Sequence, residues 1–204
     1  MQIGALIRRA ARYYGDSPCL VEGKRVVTFH EFDALTDRLG NALLDRGFRA
    51  GDRIGVLLPN GIDCLVAYYA LAKAGLVRVS LNTRETLADH AYKLSHSGSR
   101  GVIHNDVERL NVEIAIDTQE LGRLQRSGSN APCAVDRELD APYRLGFTGG
   151  TTGRSKAVTL TMRGELAELS AFLTDLVPEI GEGHTFLHAA PIAHASGTDR
   201  KSVV

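Results

Sequence analysis

Tryptophan is absent from this sequence of 204 residues, and cysteine occurs only three times. Cys19, Cys64 and Cys133 are odd in number and far apart, which argues against a disulfide framework or a zinc site and favours reduced thiols. Basic and acidic residues number 24 each, so no net charge favours nucleic acid or an anionic membrane surface. Because the basic residues are scattered and tryptophan is lacking, a surface for stacking nucleic-acid bases is not indicated either.

Long apolar runs are missing as well. Every apolar stretch is far shorter than the roughly 20 residues of a membrane-spanning helix. Arg8, Arg9 and Arg12 interrupt the apolar positions near the N-terminus, so no signal-peptide core is present. We therefore expect a cytoplasmic protein without a transmembrane segment, whose contact with a membrane would be peripheral. Its length and its 44% content of hydrophobic residues are sufficient for one sizeable core.

The segments that are present alternate between strand-like and helix-like patterns. An apolar run at residues 53–58 and the segments at residues 77–81 and 101–104 predict strands, and apolar residues at helical spacing fill the intervals between them. Such alternation predicts the α/β class, with a mostly parallel sheet flanked by helices. In the helix expected at residues 61–74, the spacing places five side chains on the inner side: Ile62, Leu65, Val66, Tyr69 and Ala72.

A loop rich in glycine and threonine carries the clearest chemical signal. Residues 148–156 read T-G-G-T-T-G-R-S-K and lie between two short runs that predict strands, the second at residues 157–161. The glycines leave the backbone amides open to a ligand. Amides and threonine hydroxyls then form a concave set of donors suited to phosphate oxygens, and Lys156 adds a mobile positive charge. The alternative, a hairpin turn without a ligand, is disfavoured by this spacing.

The loop differs from the P-loop of the phosphotransferases. That motif reads G-x-x-x-x-G-K-[ST] and opens a helix. Here Arg154 and Ser155 separate the last glycine from the lysine, Ala157 stands where Ser or Thr is required, and a strand follows. A P-loop phosphotransferase is therefore disfavoured.

Residues 148–156 resemble instead the phosphate-loop signature of the AMP-forming acyl-CoA synthetases. These enzymes belong to the adenylate-forming superfamily, together with nonribosomal peptide adenylation domains and luciferases. The signature usually reads Y-T-S-G-T-T-G-x-P-K-G-V, and this chain departs from it at Phe147, Gly149, Ser155 and Ala157. Gly149 removes one hydroxyl and Ser155 loosens the turn before the lysine, but the amides and the charge are retained.

Three further segments match the family in the same order along the chain. Residues 28–32 resemble its T-Y-x-E-L element, and residues 71–84 resemble its second core motif. Residues 191–197, P-I-A-H-A-S-G, resemble P-L-F-H-x-x-G with Ala193 in place of the aromatic residue, and a strand is expected before them at residues 186–188. In relatives this histidine lies beside the acyl pocket, so the resemblance makes His194 the candidate substrate residue.

The resemblance implies an AMP-forming carboxylate–CoA ligase that uses ATP, Mg²⁺ and coenzyme A, with a fatty acid as the expected carboxylate. Lys156 and Thr152 are the implied catalytic residues, and no metal ligand is assigned. The implied nucleotide-binding residues are Thr148, Gly149, Gly150, Thr151, Thr152, Gly153 and Lys156. Two alternatives remain: an adenylation domain or fatty acyl-AMP ligase that loads a carrier protein, and a non-catalytic nucleotide-binding fragment.

The same resemblance implies that residues 1–198 are a truncated part of the large N-terminal AMP-binding (adenylation) domain. The adenine- and ribose-binding segments, an acidic Mg²⁺-associated motif and a small C-terminal domain with a catalytic lysine should follow His194. Residues 199–204, D-R-K-S-V-V, match the translation of a common sequencing adapter up to its stop codon. We therefore expect a non-native tail at residues 199–204, and no ligase activity from the 204 residues alone.

Overall fold

The computed structural model describes residues 2–105, 110–148, 154–181 and 183–193. Its helices are α1 (Ile3–Tyr14), α2 (Phe29–Asp45), α3 (Ile62–Lys73), α4 (Leu87–Ser97), α5 (Thr118–Ser127) and α6 (Met162–Ala171). A π-helical segment, Phe172–Leu176, continues α6. The strands are β1 (Pro18–Glu22), β2 (Arg25–Thr28), β3 (Arg53–Leu57), β4 (Val77–Ser80), β5 (Gly101–His104), β6 (Ile114–Ile116), β7 (Pro142–Phe147) and β8 (Ala157–Thr161).

Six strands form one sheet in the order β6-β5-β3-β4-β7-β8, and β1 pairs with β2 in a separate hairpin. The pairs β3–β4, β3–β5, β4–β7 and β5–β6 are parallel, whereas β7 and β8 pair antiparallel. The predicted α/β class with a mostly parallel sheet is confirmed. Because β3, β4, β5 and β7 run in the same direction, their carboxyl ends meet at one edge of the sheet.

Helices cover both faces of this sheet. On one face, Ile54 and Val56 of β3 pack in a core cluster with side chains of α2, α3 and α5. On the other face, Val79 of β4 packs in a second cluster with Leu94 of α4. Strands that are buried on both faces tend to read as continuous apolar runs. β3 largely follows this rule, whereas β4 alternates Val77 and Val79 with the buried Arg78 and Ser80. Within the described ranges, none of the helices combines the length and apolarity needed to cross a bilayer.

The burial predicted for α3 is only partly correct. Ile62 and Val66 are buried as expected, whereas Leu65, Tyr69 and Ala72 are half-buried. The helix contacts α1, α2, β3 and β4, so it buries most of its circumference rather than one stripe. The expectation of a single inner face therefore missed several buried side chains: Cys64, Ala67, Tyr68, Ala70, Leu71 and Lys73.

The prediction of a strand at residues 186–188 is wrong. These residues have no regular secondary structure, and the side chains of Phe186 and Leu187 are 42% and 77% exposed. A strand needs a neighbouring strand to pair with its backbone groups, and no described strand lies beside this segment. The apolar run by itself was therefore a poor guide.

Candidate functional site

The two strands that flank the glycine- and threonine-rich loop, β7 and β8, meet it at the edge of the sheet where the parallel strands end. Strand β7 enters the loop at Phe147 and β8 leaves it at Ala157, and these two residues are paired antiparallel. Asn60 and Asn82 follow the carboxyl ends of β3 and β4 at the same edge. In open α/β sheets, ligands bind in the crevice outside the carboxyl ends of the strands. The strand–loop–strand arrangement predicted from the sequence is confirmed.

Two of the predicted nucleotide-binding residues close the base of this loop. The Thr148 amide donates a hydrogen bond to the Lys156 carbonyl oxygen at 3.1 Å, and the Thr148 hydroxyl donates to the same oxygen at 3.4 Å. Both side chains are exposed. Among the described residues, no carboxylate forms an ion pair with the Lys156 ammonium. An exposed cation without a carboxylate partner among the described residues therefore lies at the base of the loop, which suits an anionic ligand.

The remaining loop residues, Gly149, Gly150, Thr151, Thr152 and Gly153, lie outside the described residues. Their assignment to phosphate binding stays a prediction. The same holds for His194.

Helix α4 contacts the arm of the loop that leads back to β8. The Tyr92 hydroxyl donates a hydrogen bond to the Ser155 carbonyl oxygen at 3.2 Å. The guanidinium carbon of Arg154 lies 5.2 Å from the centre of the Tyr92 ring, which is within the range of a cation–π contact. Tyr92 was not among the predicted site residues, because its hydrogen bond joins residues that are 63 positions apart in the sequence.

The same helix also contacts the arm that enters the loop. The His96 ring stacks on Tyr92 at 5.3 Å between centroids and meets the edge of Phe147 at 6.3 Å. The Lys93 ammonium lies 5.2 Å from the centre of the Phe147 ring. Phe147, His96 and Tyr92 therefore form a continuous row of rings between the two arms.

The first turn of α4 is fixed by a capping box. The Thr86 side chain accepts a hydrogen bond from the Asp89 amide, and the Asp89 carboxylate accepts one from the Thr86 amide. Hydrogen bonds from Thr86 hold the pKa of the Asp89 carboxyl below its ordinary value. Both partners are solvent-exposed, so the box orients the helix start rather than adding buried charge.

The segment that precedes His194 is attached to the same edge of the sheet. The Asn60 side-chain amide donates to the Ala190 carbonyl oxygen at 2.8 Å, and its oxygen accepts from the Ile192 amide at 2.9 Å. The Ile192 side chain is 4% exposed and belongs to the core cluster that includes α3. Asn60 was not among the predicted site residues. The available signal was a polar residue in the loop that follows the buried strand β3.

The described residues were also compared with the requirements of a metal site. Among residues 2–105, 110–148, 154–181 and 183–193, no three His, Cys, Asp or Glu side chains are grouped to hold an ion. Mg²⁺ is therefore assigned no ligand from these residues.

Comparison with known proteins identifies the family. The family model described as AMP-binding enzyme matches residues 7–200, which is nearly the whole chain. The chain therefore belongs to the AMP-binding enzyme family, as the four motifs predicted.

Similar proteins include several CoA ligases. The chain is 30% identical over 174 residues to long-chain-fatty-acid–CoA ligase FadD13 of Mycobacterium tuberculosis, covering 78% of this chain and 35% of the relative. It is 30% identical over 201 residues to feruloyl-CoA synthase of Amycolatopsis sp., covering 95% of this chain and 40% of the relative. The chain thus spans about a third to two-fifths of the length of these curated relatives.

A solved structure matches over almost the whole chain. O-succinylbenzoate CoA synthetase of Bacillus subtilis, in complex with its acyl-adenylate intermediate, superposes with a TM-score of 0.84 at 26% identity. The match covers 98% of this chain and 52% of that chain. The sheet and helices described above therefore have the arrangement of the N-terminal part of such enzymes.

Proposed function

We propose that residues 1–198 are the N-terminal part of an AMP-forming carboxylate–CoA ligase, and that residues 148–156 bind the triphosphate of ATP. One observation carries the proposal. The exposed hydroxyl of Thr148 and the exposed ammonium of Lys156 flank a strand–loop–strand at the carboxyl edge of the sheet, and no described carboxylate neutralises the lysine. The chain's family and the CoA ligases among its relatives support the same reading.

The reaction would proceed in two steps. The substrate carboxylate attacks the α-phosphorus of ATP, which forms an acyl-adenylate and releases pyrophosphate. The thiol of coenzyme A then attacks the acyl carbonyl, which forms acyl-CoA and releases AMP. An acyl-adenylate is the ligand in the similar structure of o-succinylbenzoate CoA synthetase, which supports the first step here.

The loop's contribution would be electrostatic. Negative charge builds on the phosphate oxygens and on the departing pyrophosphate during the first step. Amides of the loop, the hydroxyls of Thr148, Thr151 and Thr152, and the Lys156 ammonium would bind those oxygens and stabilise the charge. Mg²⁺ would enter with ATP and neutralise further phosphate charge.

We assign His194 to the carboxylate side of the site. The segment before it is held by Asn60 at the edge from which the loop also rises, so loop and segment would face a common crevice. We favour a fatty acid as the carboxylate, because the motif resemblance and the fatty-acid ligase among the relatives agree. Because a feruloyl-CoA synthase is also among the relatives, an aromatic acid is the alternative substrate for this chain's ligase.

The test uses a complete ligase of which residues 1–198 form the N-terminal part. We expect Lys156→Ala to lower the rate of carboxylate-dependent ATP–pyrophosphate exchange by a factor on the order of 10²–10³, as removal of one preorganised charge-stabilising group does. Lys24→Ala removes an exposed lysine in the turn between β1 and β2 and serves as the control, with no change expected. Equal exchange rates for Lys156→Ala and the wild type would contradict the proposal.

Two further measurements separate the alternatives. Release of acyl-CoA on addition of coenzyme A supports the ligase, whereas transfer only to a carrier protein identifies a carrier-loading enzyme. We expect no turnover from the 204 residues alone, because they span only about a third to two-fifths of the relatives. Acyl-AMP formation by the purified 204-residue chain would contradict this expectation.

A further inference from the structure

The arm of the loop that carries Lys156 lacks the proline that the family signature has there. In the family signature a proline precedes this lysine, and here the position is occupied by Ser155. Proline fixes its own φ and restricts the residue before it, so it stiffens a turn without any partner. Serine provides no such constraint. Any constraint on this arm therefore has to come from contacts with other parts of the chain.

Tyr92 of α4 supplies such contacts at two adjacent residues. Its hydroxyl donates to the Ser155 carbonyl oxygen at 3.2 Å, and its ring lies 5.2 Å from the Arg154 guanidinium. The tyrosine is half-buried on a helix whose Leu94 is 2% exposed in the core. The contact therefore joins the loop arm to a rigid element.

The row of rings extends this support across the loop. His96 stacks on Tyr92 with an interplanar angle of 24° and meets Phe147 edge-on at 61°. Phe147 in turn precedes Thr148, whose amide donates to the Lys156 carbonyl oxygen. The two arms are consequently joined twice, once by the backbone at the loop base and once through the face of α4.

We propose that Tyr92 is a positioning residue that holds the Arg154–Ser155 arm, and through it Lys156, in the conformation that binds the phosphates. It takes the place of the local constraint that a proline at position 155 would provide. The proposal rests on the proposed function for its effect on ATP, but its structural part can be measured without any nucleotide.

The structural part is tested by hydrogen exchange of the Thr148 amide, measured by NMR on the 204-residue chain without ligand. Tyr92→Phe keeps the ring and removes only the hydroxyl, and we expect exchange about fivefold faster, as loss of one hydrogen bond implies. Tyr92→Leu removes the ring as well and should give a larger increase. Tyr13→Phe is the control, because Tyr13 is an exposed tyrosine that also stacks with an arginine, Arg9.

A rescue variant distinguishes positioning from general destabilisation. We expect Ser155→Pro in the Tyr92→Phe background to slow Thr148 exchange toward the wild-type rate, and to change it little in the wild type. Unchanged exchange in Tyr92→Phe and Tyr92→Leu would overturn the proposal. Failure of Ser155→Pro to restore the rate would overturn the idea that Tyr92 replaces the proline.

The functional part is tested in the complete ligase by ATP–pyrophosphate exchange. We expect Tyr92→Phe to raise KM for ATP about fivefold, leave KM for the carboxylate unchanged, and regain the wild-type value when combined with Ser155→Pro. If Lys156→Ala lowers the rate of ATP–pyrophosphate exchange as expected but Tyr92→Phe leaves KM for ATP unchanged, the positioning role is wrong while the proposed function holds. If Lys156→Ala leaves ATP–pyrophosphate exchange unchanged, the proposed function fails. Hydrogen exchange of the Thr148 amide then still decides whether Tyr92 holds the Arg154–Ser155 arm.

Discussion

Cys64 shows how burial changes the chemistry of a single side chain in this fold. The residue lies on α3, is 2% exposed, and faces the core beneath the sheet. Burial raises the pKa of its thiol from the ordinary value of 9.0 to about 11, since a thiolate would be poorly solvated there. Such a thiol is unreactive at neutral pH, which fits a structural role.

This raised pKa predicts a loss of stability in alkaline solution. Below pH 9 the thiol is protonated in both the native and the unfolded chain, so its burial has its full stabilising effect. Between pH 9 and about 11 the unfolded chain loses the proton first, and the free energy of unfolding therefore falls as pH rises. We expect Cys64 to contribute about 2 kcal/mol to that fall.

Urea denaturation at several pH values between 8 and 11 measures this effect. The control is Cys64→Ala, which has no thiol at this position that could lose a proton. Its free energy of unfolding should decline less steeply than that of the wild type. If the free energies of unfolding of the two proteins fell in parallel as pH rises, the prediction would be contradicted.

At the scale of elements, an ion-pair network joins α1, α2 and α3. The Lys73 ammonium at the end of α3 is fully buried and contacts the Asp33 and Asp37 carboxylates of α2 at 2.5 and 2.8 Å. Asp37 also accepts a hydrogen bond from the Cys133 amide at 3.0 Å and one from the Arg8 guanidinium of α1 at 3.4 Å. Buried charges persist when they are paired and hydrogen-bonded in this way.

Breaking this network should be costly. We expect Asp37→Ala to lower the free energy of unfolding by about 3–5 kcal/mol, because it leaves a buried ammonium and a buried amide with fewer acceptors. The control is Asp140→Ala, which removes an exposed carboxylate paired with the exposed Arg163 and should change stability little. Urea midpoints at pH 7 that shift equally for both variants would show that the network does not contribute.

At the scale of the whole molecule, α4 packs on the sheet directly over a glycine of β3. Gly55 lies in the middle of β3, and a Cβ there would lie 2.5 Å from Leu94 Cδ2 of α4. It would also lie 3.2 Å from Leu81 Cδ1 and 3.2 Å from Val102 Cγ2. A side chain at position 55 would therefore force Leu94 of α4, and to a smaller extent Leu81 and Val102, to shift.

We expect Gly55→Val to lower the free energy of unfolding by about 1–3 kcal/mol, as overpacking of a filled core does. The variant should also speed exchange of the Thr148 amide, because α4 moves away from the loop that it supports. Gly181→Val is the control: no atom lies within 4 Å of a Cβ built at that position, and little change is expected. A Gly55→Val protein with wild-type stability and exchange would show that α4 does not need this contact.

Sequence alone was sufficient for the features that depend on neighbouring residues. The alternation of strand-like and helix-like segments predicted β3, β4 and β5. The capping box that begins α2 is equally local, because Thr28 and Glu31, which form it, are three residues apart. The loop's setting between two strands and the family followed from residues 148–156 and three other motifs. Backbone propensity and short-range spacing act within a few residues, so they can be read directly from the sequence.

Only the tertiary structure decided which distant residues meet. Tyr92 reaches Ser155 across 63 positions, and Asn60 reaches Ile192 across 132. It also decided that α3 is buried on most sides and that Lys73 lies in the core rather than on the surface. These outcomes depend on how the helices stack on both faces of the sheet, and the periodicity of one segment carries no information about the elements that pack against it.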